Sequence, residues 1–556
     1  MEKGLYWKGL VFRIIILFIG AGIVPSTVGI IKEKTVLMNL GSPGYIQDLI
    51  DNASDGDTIY IPSGIYYENI IINKSISLIG ENKNTTIIDG SENVGVITVS
   101  YDWVNISEFT IQNSSGGQGF GAGIWIISHY CTVMNNNIWD HCYVYSHESG
   151  IALGGLNNTI KGNIIRDNGV GISIGGSSSG NLITGNTVTD NEDCGIGLEG
   201  SNGNIITGNT ISNNGVGIGL GYYSDNNIII GNTISNNLGG IYLTDHSDNN
   251  IIIANTISNN SWDGIQLSYS SHNNTITGNT IIDNDGGILL DYSCGSTIIG
   301  NTISNNSWYG ICLFPSSDNN ITGNTITHNK DGIHIYSSLY VYYSHNITIR
   351  DNTITDNTVG IALDDSNNNT ITSNNISYNG FLGISLSDSN DINITGNVIT
   401  SNYEEGIFLL TSNQNVILDN NITENEDGIE LQDSCYNIIS KNSISLNYDH
   451  GFEFIGSTPK LCTNNTIEYN IIKQNNQGIY LENSSSNTIL KNNFLNNQQD
   501  AMFYNCMNKW RQNYWNRLRI LPKLIFGKIM IGPIGIPWFN IDWRPAKEPY
   551  DISSFS

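Results

Sequence analysis

The chain has 556 residues, of which 13% are charged, too few for a charge-rich disordered polymer, and its 60 glycines and 10 prolines follow no collagen period. Asp and Glu number 50 against 23 Lys and Arg, and no Lys or Arg stands between Arg166 and Lys330. A net charge of −27 repels phosphate backbones and anionic membranes alike, which argues against nucleic acid as a partner.

Residues 1–29 read as an export segment. Lys3, Lys8 and Arg13 make a basic start, 14–24 is an unbroken run of apolar residues and glycines, and Ser26, Thr27 and Gly29 offer a cleavage site. The alternative is an uncleaved membrane anchor, since 14–31 carries no charge. Both place the bulk of the chain outside the cytoplasm, as a secreted, cell-surface or periplasmic protein.

Residues 30–60 are expected to form an N-terminal cap. Ile46, Leu49, Ile50 and Ala53 fall on one face of a short amphipathic helix, and Thr58 to Ile61 begins the first strand. A solenoid has an open edge at each end, and a helix there blocks unwanted strand pairing.

From 61 to 497 self-similarity dominates. A Gly-Ile or Gly-Phe step recurs from Gly123 to Gly478, about every 23 residues. An asparagine marker runs out of phase with it, from Asn163 to Asn492, 15 times. Ile stands three residues before every marker, Ile, Val188 or Phe494 two after, and a second Asn five after. Short β-branched runs broken by Asn and Gly are strands that cannot stand alone and need an equivalent strand above and below. The period predicts three short strands and three turns per coil, stacked about 4.8 Å apart. The fold class is therefore all-β, a right-handed parallel β-helix. Asparagine suits its turns, tolerating left-handed backbone and, when stacked, joining its amides into a ladder.

The pattern ends at Asn497, and 498–556 is expected to be an irregular C-terminal cap. It holds 8 of the 23 basic residues together with Trp510, Trp515, Trp538 and Trp543. The 8 cysteines are too thinly spread for a dense disulfide framework, and only Cys131 and Cys142 are close in sequence.

The opening Ile46-Gln47-Asp48-Leu49-Ile50, the later Gly56-Asp57-Thr58-Ile59 and Gly64-Ile65-Tyr66-Tyr67, the Asn-rich coils and the Trp510-Arg511-Gln512-Asn513-Tyr514-Trp515 segment resemble NosD-like β-helix proteins. The resemblance covers almost all of the chain after the export segment. It implies a pectin-lyase-like fold, in a grouping of carbohydrate-binding proteins and sugar hydrolases. The family's founding member assists copper-centre maturation outside the cytoplasm, so the resemblance also implies metal handling.

Three sets of residues could carry chemistry. His129, Cys131, Met134, His141, Cys142, His147 and Glu148 crowd the first full coil, and imidazole, thiolate and thioether suit copper or zinc. A Cys131–Cys142 disulfide, or plain packing, is the alternative. Residues just before each Gly-Ile, and just after its Ile, should face outward in columns. Glu405, Asp427, Glu430, His450 and Glu453 then stack about 5 Å apart, close enough to chelate calcium or to serve as an acid/base pair for glycosidic cleavage. A solvated acidic face is the alternative. Tyr336, Tyr340, Tyr342 and Tyr343, on an enlarged coil beside His334 and His345, could stack on sugar rings.

Three functions compete: a non-catalytic glycan-binding or cell-surface scaffold, a metal-handling accessory protein, and a polysaccharide lyase or hydrolase. The first has the most support, because the Asp-Pro-His and Gly-His-Gly motifs of familiar β-helix polysaccharide enzymes are missing. Its expected partner is a polysaccharide or surface glycan, with association to the cell envelope.

Overall fold

The computed structural model describes residues 44–93, 95–114, 121–141, 148–337, 343–457 and 462–552. The export segment, Cys142, His147, Tyr340 and Tyr342 lie outside them. Among the described residues no helix is long and apolar enough to cross a membrane.

The chain winds into a parallel β-solenoid of about 19 turns. One coil shows the plan: Thr159–Lys161 lies in a first sheet, Ile164–Asn168 in a second and Val170–Ile174 in a third. Each strand pairs in parallel with its equivalent one coil on, as in Ile160↔Ile183, Ile165↔Val188 and Ile172↔Ile196. Strands of three to six residues suffice because every coil's backbone groups are satisfied by the coils above and below. Ile160, Ile165, Ile172 and Ile174 all point inward and are fully buried, and their columns make one continuous core.

Polar ladders run through the three corners. In the first, each marker asparagine donates its backbone N–H and Nδ2 to Oδ1 of the next coil's asparagine, from Asn136 through Asn163 and Asn186 onward. Its Nδ2 also reaches the carbonyl of an isoleucine a coil back, as Asn186 does with Ile160. The second ladder uses the asparagines five residues on, such as Asn191 to Asn214. The third was not expected: Asn158, Asn181, Asn204 and Asn227 link the same way at the corner before the first sheet. The left-handed backbone, expected of the marker asparagines, belongs instead to the residue before each one. Gly162 has φ 64, and Asn213, preceding Asn214, has φ 58. The marker's amide is thereby free to serve the ladder.

Helix α1, Tyr45–Asn52, seats Ile46 and Ile50 on the end of the core. Its first N–H groups, from Ile46 and Gln47, donate to the Glu68 carboxylate at 3.0 and 3.1 Å, which anchors the helix start.

At the other end the coils outlast the repeat. Gln499–Tyr504, Lys509–Arg511 and Tyr514–Trp515 extend the third, first and second sheets. Trp510 and Trp515 replace isoleucine as inward residues, and Trp515 stacks on Phe494 with ring centroids 4.4 Å apart. An antiparallel hairpin, Lys523–Ile531 with Ile534–Asp542, then closes the stack.

Candidate functional site

The outer surface of the third sheet gathers the chemistry. Two of its residues per coil, the one before the glycine and the one after the isoleucine, stack in adjacent columns. In coils 263 to 364 they build two polar groups, the second completed by Asp364 from the strand Val359–Asp364. Tyr309 Oη donates to Asp263 Oδ1 at 2.8 Å, reaching back over a whole coil. Gly286 makes this reach possible: a Cβ there would stand 2.0 Å from Asp263 Oδ1 and 2.6 Å from the Tyr309 ring. On the next coils His334 lies between two carboxylates, with Nδ1 3.1 Å from Asp331 and Nε2 2.8 Å from Asp364. Burial disfavours its charged form, yet the bonds and charges of both aspartates prevail and raise the imidazole to about 9. Burial likewise lifts Asp263 to about 6, against the opposing bond from Tyr309.

An aromatic wall flanks the His334 group, with Tyr336 5.1 Å from the imidazole. Tyr336 stacks on Phe314 at 4.5 Å, and beneath Phe314 in register lies Asp291, whose buried Oδ1 has no hydrogen-bond partner in the protein. Tyr336, expected on the enlarged loop, is instead the last residue of the strand Asp331–Tyr336, while Tyr343 is exposed. Sequence reading singled out Tyr336 and missed Asp263, Asp291, Tyr309, Asp331 and Asp364. The column rule that produced the 405–453 set would have found Asp263, Tyr309 and Asp331.

That set is assembled as expected of stacking. Glu405, Asp427 and Glu430 bring carboxylate oxygens within 4.8 Å of one another, as do Asp427 and Asp449 with His450. Glu430 pairs in register with Glu453. Although on the outer face, Asp427 and Glu430 are only 6% and 8% exposed. Burial, and then the Glu405 carboxyl beside it, pushes Glu430 up to about 9, and burial raises Glu453 to about 7 against the pull of His450. Asp427 Oδ1 accepts from the His450 backbone N–H at 2.6 Å and lies 3.0 Å from its Nδ1. Tyr480 stacks on His450 at 5.4 Å.

The described members of the 129–148 set are spread around the coil. His129 Nδ1 accepts from Leu156 N–H at 2.9 Å at the corner after the third sheet. Cys131 heads the third ladder, buried beside Ser128, and burial raises its thiol. Met134 is exposed at the end of a first-sheet strand. His141 stands in for the second ladder's asparagine: its backbone N–H donates to Asn168 Oδ1, its Nδ1 accepts from Ser114 N–H, and its Nε2 meets the Ile111 carbonyl at 3.1 Å. That pattern demands the neutral ring with the proton on Nε2.

Complete burial lowers His141 from 6.5 to about 4. A depressed folded value leaves stability untouched above pH 6.5 and erodes it as pH falls toward 4, by roughly 3 kcal/mol. His141→Asn supplies the rung every later coil uses. It should remove that acid-sensitive component in unfolding measured from pH 7 to 4.

Residues 149–296 and 286–429, together half of the chain, match the family described as right handed beta helix region. Residues 382–532 match the family described as periplasmic copper-binding protein (NosD). Among solved structures the chain is similar to the periplasmic alginate epimerase AlgG, at 16% identity and a TM-score of 0.42 over 59% of this chain and 82% of that one. It is similar also to the A-module of the Azotobacter vinelandii mannuronan C-5 epimerase AlgE6 (16%, TM-score 0.38, 63% and 95%). A PL6 alginate lyase in complex with a trisaccharide is a third such structure (14%, TM-score 0.42, 61% and 84%). At these identities the likeness is one of fold alone. No curated protein matches the chain in sequence. The repeat, the three-sheet coil and the family matches agree: residues 382–532 are similar to the NosD family, and this chain belongs to the right-handed β-helix family.

Proposed function

We propose that the protein works outside the cytoplasm as a non-catalytic glycan-binding β-helix, holding an extended sugar chain along the third sheet between coils 263 and 364. The observation that carries this reading is the Phe314–Tyr336 wall beside the Asp263–Tyr309 and Asp331–His334–Asp364 groups. Rings supply stacking faces, and carboxylates accept hydroxyl protons. With no Lys or Arg from 167 to 329, the surface suits neutral or amino-bearing sugars better than uronic acids.

Affinity electrophoresis and a glycan array spanning neutral, cationic and uronic polymers test this. Tyr336→Ala should weaken binding roughly tenfold, the loss of one stacking contact. Binding confined to uronic polymers, or no binding, refutes it. Release of reducing or unsaturated ends, lost in Asp427→Ala, would favour a lyase or hydrolase using Glu405, Asp427, Glu430, His450 and Glu453.

The NosD match favours a second reading, metal handling, because its span contains the Asp427–Asp449–His450 and Glu405–Asp427–Glu430 groups. The all-oxygen group suits calcium and the histidine group suits copper. Metal analysis of the purified protein decides it, and absence of both metals retires it.

A further inference from the structure

The C-terminal closure carries a surface unlike the rest of the molecule. Between 509 and 547 there are eight basic residues, and the sole acidic one, Asp542, is fully buried. Among these basics stands a run of exposed apolar side chains. Leu518, Ile520 and Leu521 are 62, 85 and 76% exposed on the stretch before the hairpin, alternating with Arg517, Arg519 and Lys523. On the hairpin itself Phe526, Ile531, Ile534, Trp538 and Phe539 are exposed, with Trp543 just beyond. The hairpin is tied to the solenoid through Phe503↔Gly527, Tyr504↔Lys528 and Trp510↔Asp542, and as far along as Met530, whose N–H donates to Asn505 Oδ1 at 3.2 Å. Its turn end, where Ile531 faces Ile534 beside Gly532, projects past these pairings.

We propose that this basic, apolar end docks on an anionic lipid surface. Aliphatic tips and Trp rings gain by entering the headgroup boundary, and Arg and Lys among them pair with anionic headgroups. A solvated end would pay to keep so many large apolar groups in water, and a monomer rarely exposes them together. Charge chooses the occupant: a second copy would bring a like-charged cationic end, whereas anionic lipid complements it. Lys523 is already paired with Asp500 at 3.6 Å, so Arg517, Arg519 and Lys528 carry the headgroup contacts, and salt screens the net negative charge of the more distant coils beyond about 8 Å. The docking is independent of the glycan reading, which uses the third sheet alone.

Hydrogen exchange of the full chain, with and without vesicles, tests the proposal locally and so separates it from any binding by residues 1–29. Phosphatidylglycerol vesicles should slow exchange in peptides covering 516–540, and phosphatidylcholine vesicles should not. The Arg517→Gln/Arg519→Gln variant should need roughly tenfold more anionic lipid for the same protection. Ile531→Ser/Ile534→Ser, at exposed positions, should retain the fold and lose most of the protection. Unchanged exchange at 516–540 while the chain still binds vesicles overturns the proposal. So does protection that depends on protein concentration and not on lipid, which would assign the surface to a second copy.

Discussion

Asn279→Ala should lower stability by roughly 4 kcal/mol, seen as a fall in the denaturant midpoint, because one rung serves three coils. Asn279 is 1% exposed. Its Oδ1 accepts both the backbone N–H and Nδ2 of Asn255, at 2.9 and 3.0 Å. Its Nδ2 donates to the carbonyls of Ile252 and Thr277 and to Asn301 Oδ1. Alanine strands the buried N–H of Asn255 and the carbonyl of Ile252, both on the preceding coil, each costing about 1–3 kcal/mol. Asn279→Asp should be as damaging at neutral pH. It keeps the acceptor for Asn255 but turns an oxygen toward Ile252 O and Asn301 Oδ1.

The same carboxylate is required where the ladder ends. Every rung donates forward, so the last one, Asn513, needs a pure acceptor, and Asp542 provides it. Asp542 Oδ2 accepts from Asn513 N–H at 2.9 Å, from its Nδ2 at 3.2 Å and from Trp515 Nε1 at 3.2 Å. Oδ1 accepts from Gln512 and Arg544 N–H at 3.1 and 3.2 Å. Asp542→Ala leaves five donors without this partner and should cost about 4–5 kcal/mol, with the closing hairpin released first. Asp542→Asn, which turns an NH₂ toward donors, should cost about half as much. Limited proteolysis across 498–552 checks both: cleavage confined to that stretch supports the terminator role, and a native digestion pattern in Asp542→Ala overturns it. The opposed requirements, Asn inside the ladder and Asp at its end, follow from one direction of donation.

Asp542 was not legible beforehand, since it lies outside the repeat, in a basic and apolar tail where nothing in the pattern marks it as a ladder end. The third ladder was hidden differently. Its column is interrupted by Ser296, Ile347 and Ile392, and its asparagines adjoin the marker's threonines and isoleucines, where they read as ordinary turn residues. The boundary at 497 marks where isoleucine gives way to tryptophan, which fills the same interior, so the composition changes before the architecture does.

The three-strand coil, the inward isoleucines and two of the three ladders follow from the repeat itself, because a bond made between residues 23 apart is made again at the next 23 and each local pattern restates the whole. The outer face of the third sheet obeys no such rule. Tyr309 meets Asp263 across 46 residues only because Gly286 leaves room between them, and His334 bridges Asp331 and Asp364 through its own side-chain torsions. Those contacts depend on non-repeating side chains from two or three coils at once, and they take shape only when the coils are stacked.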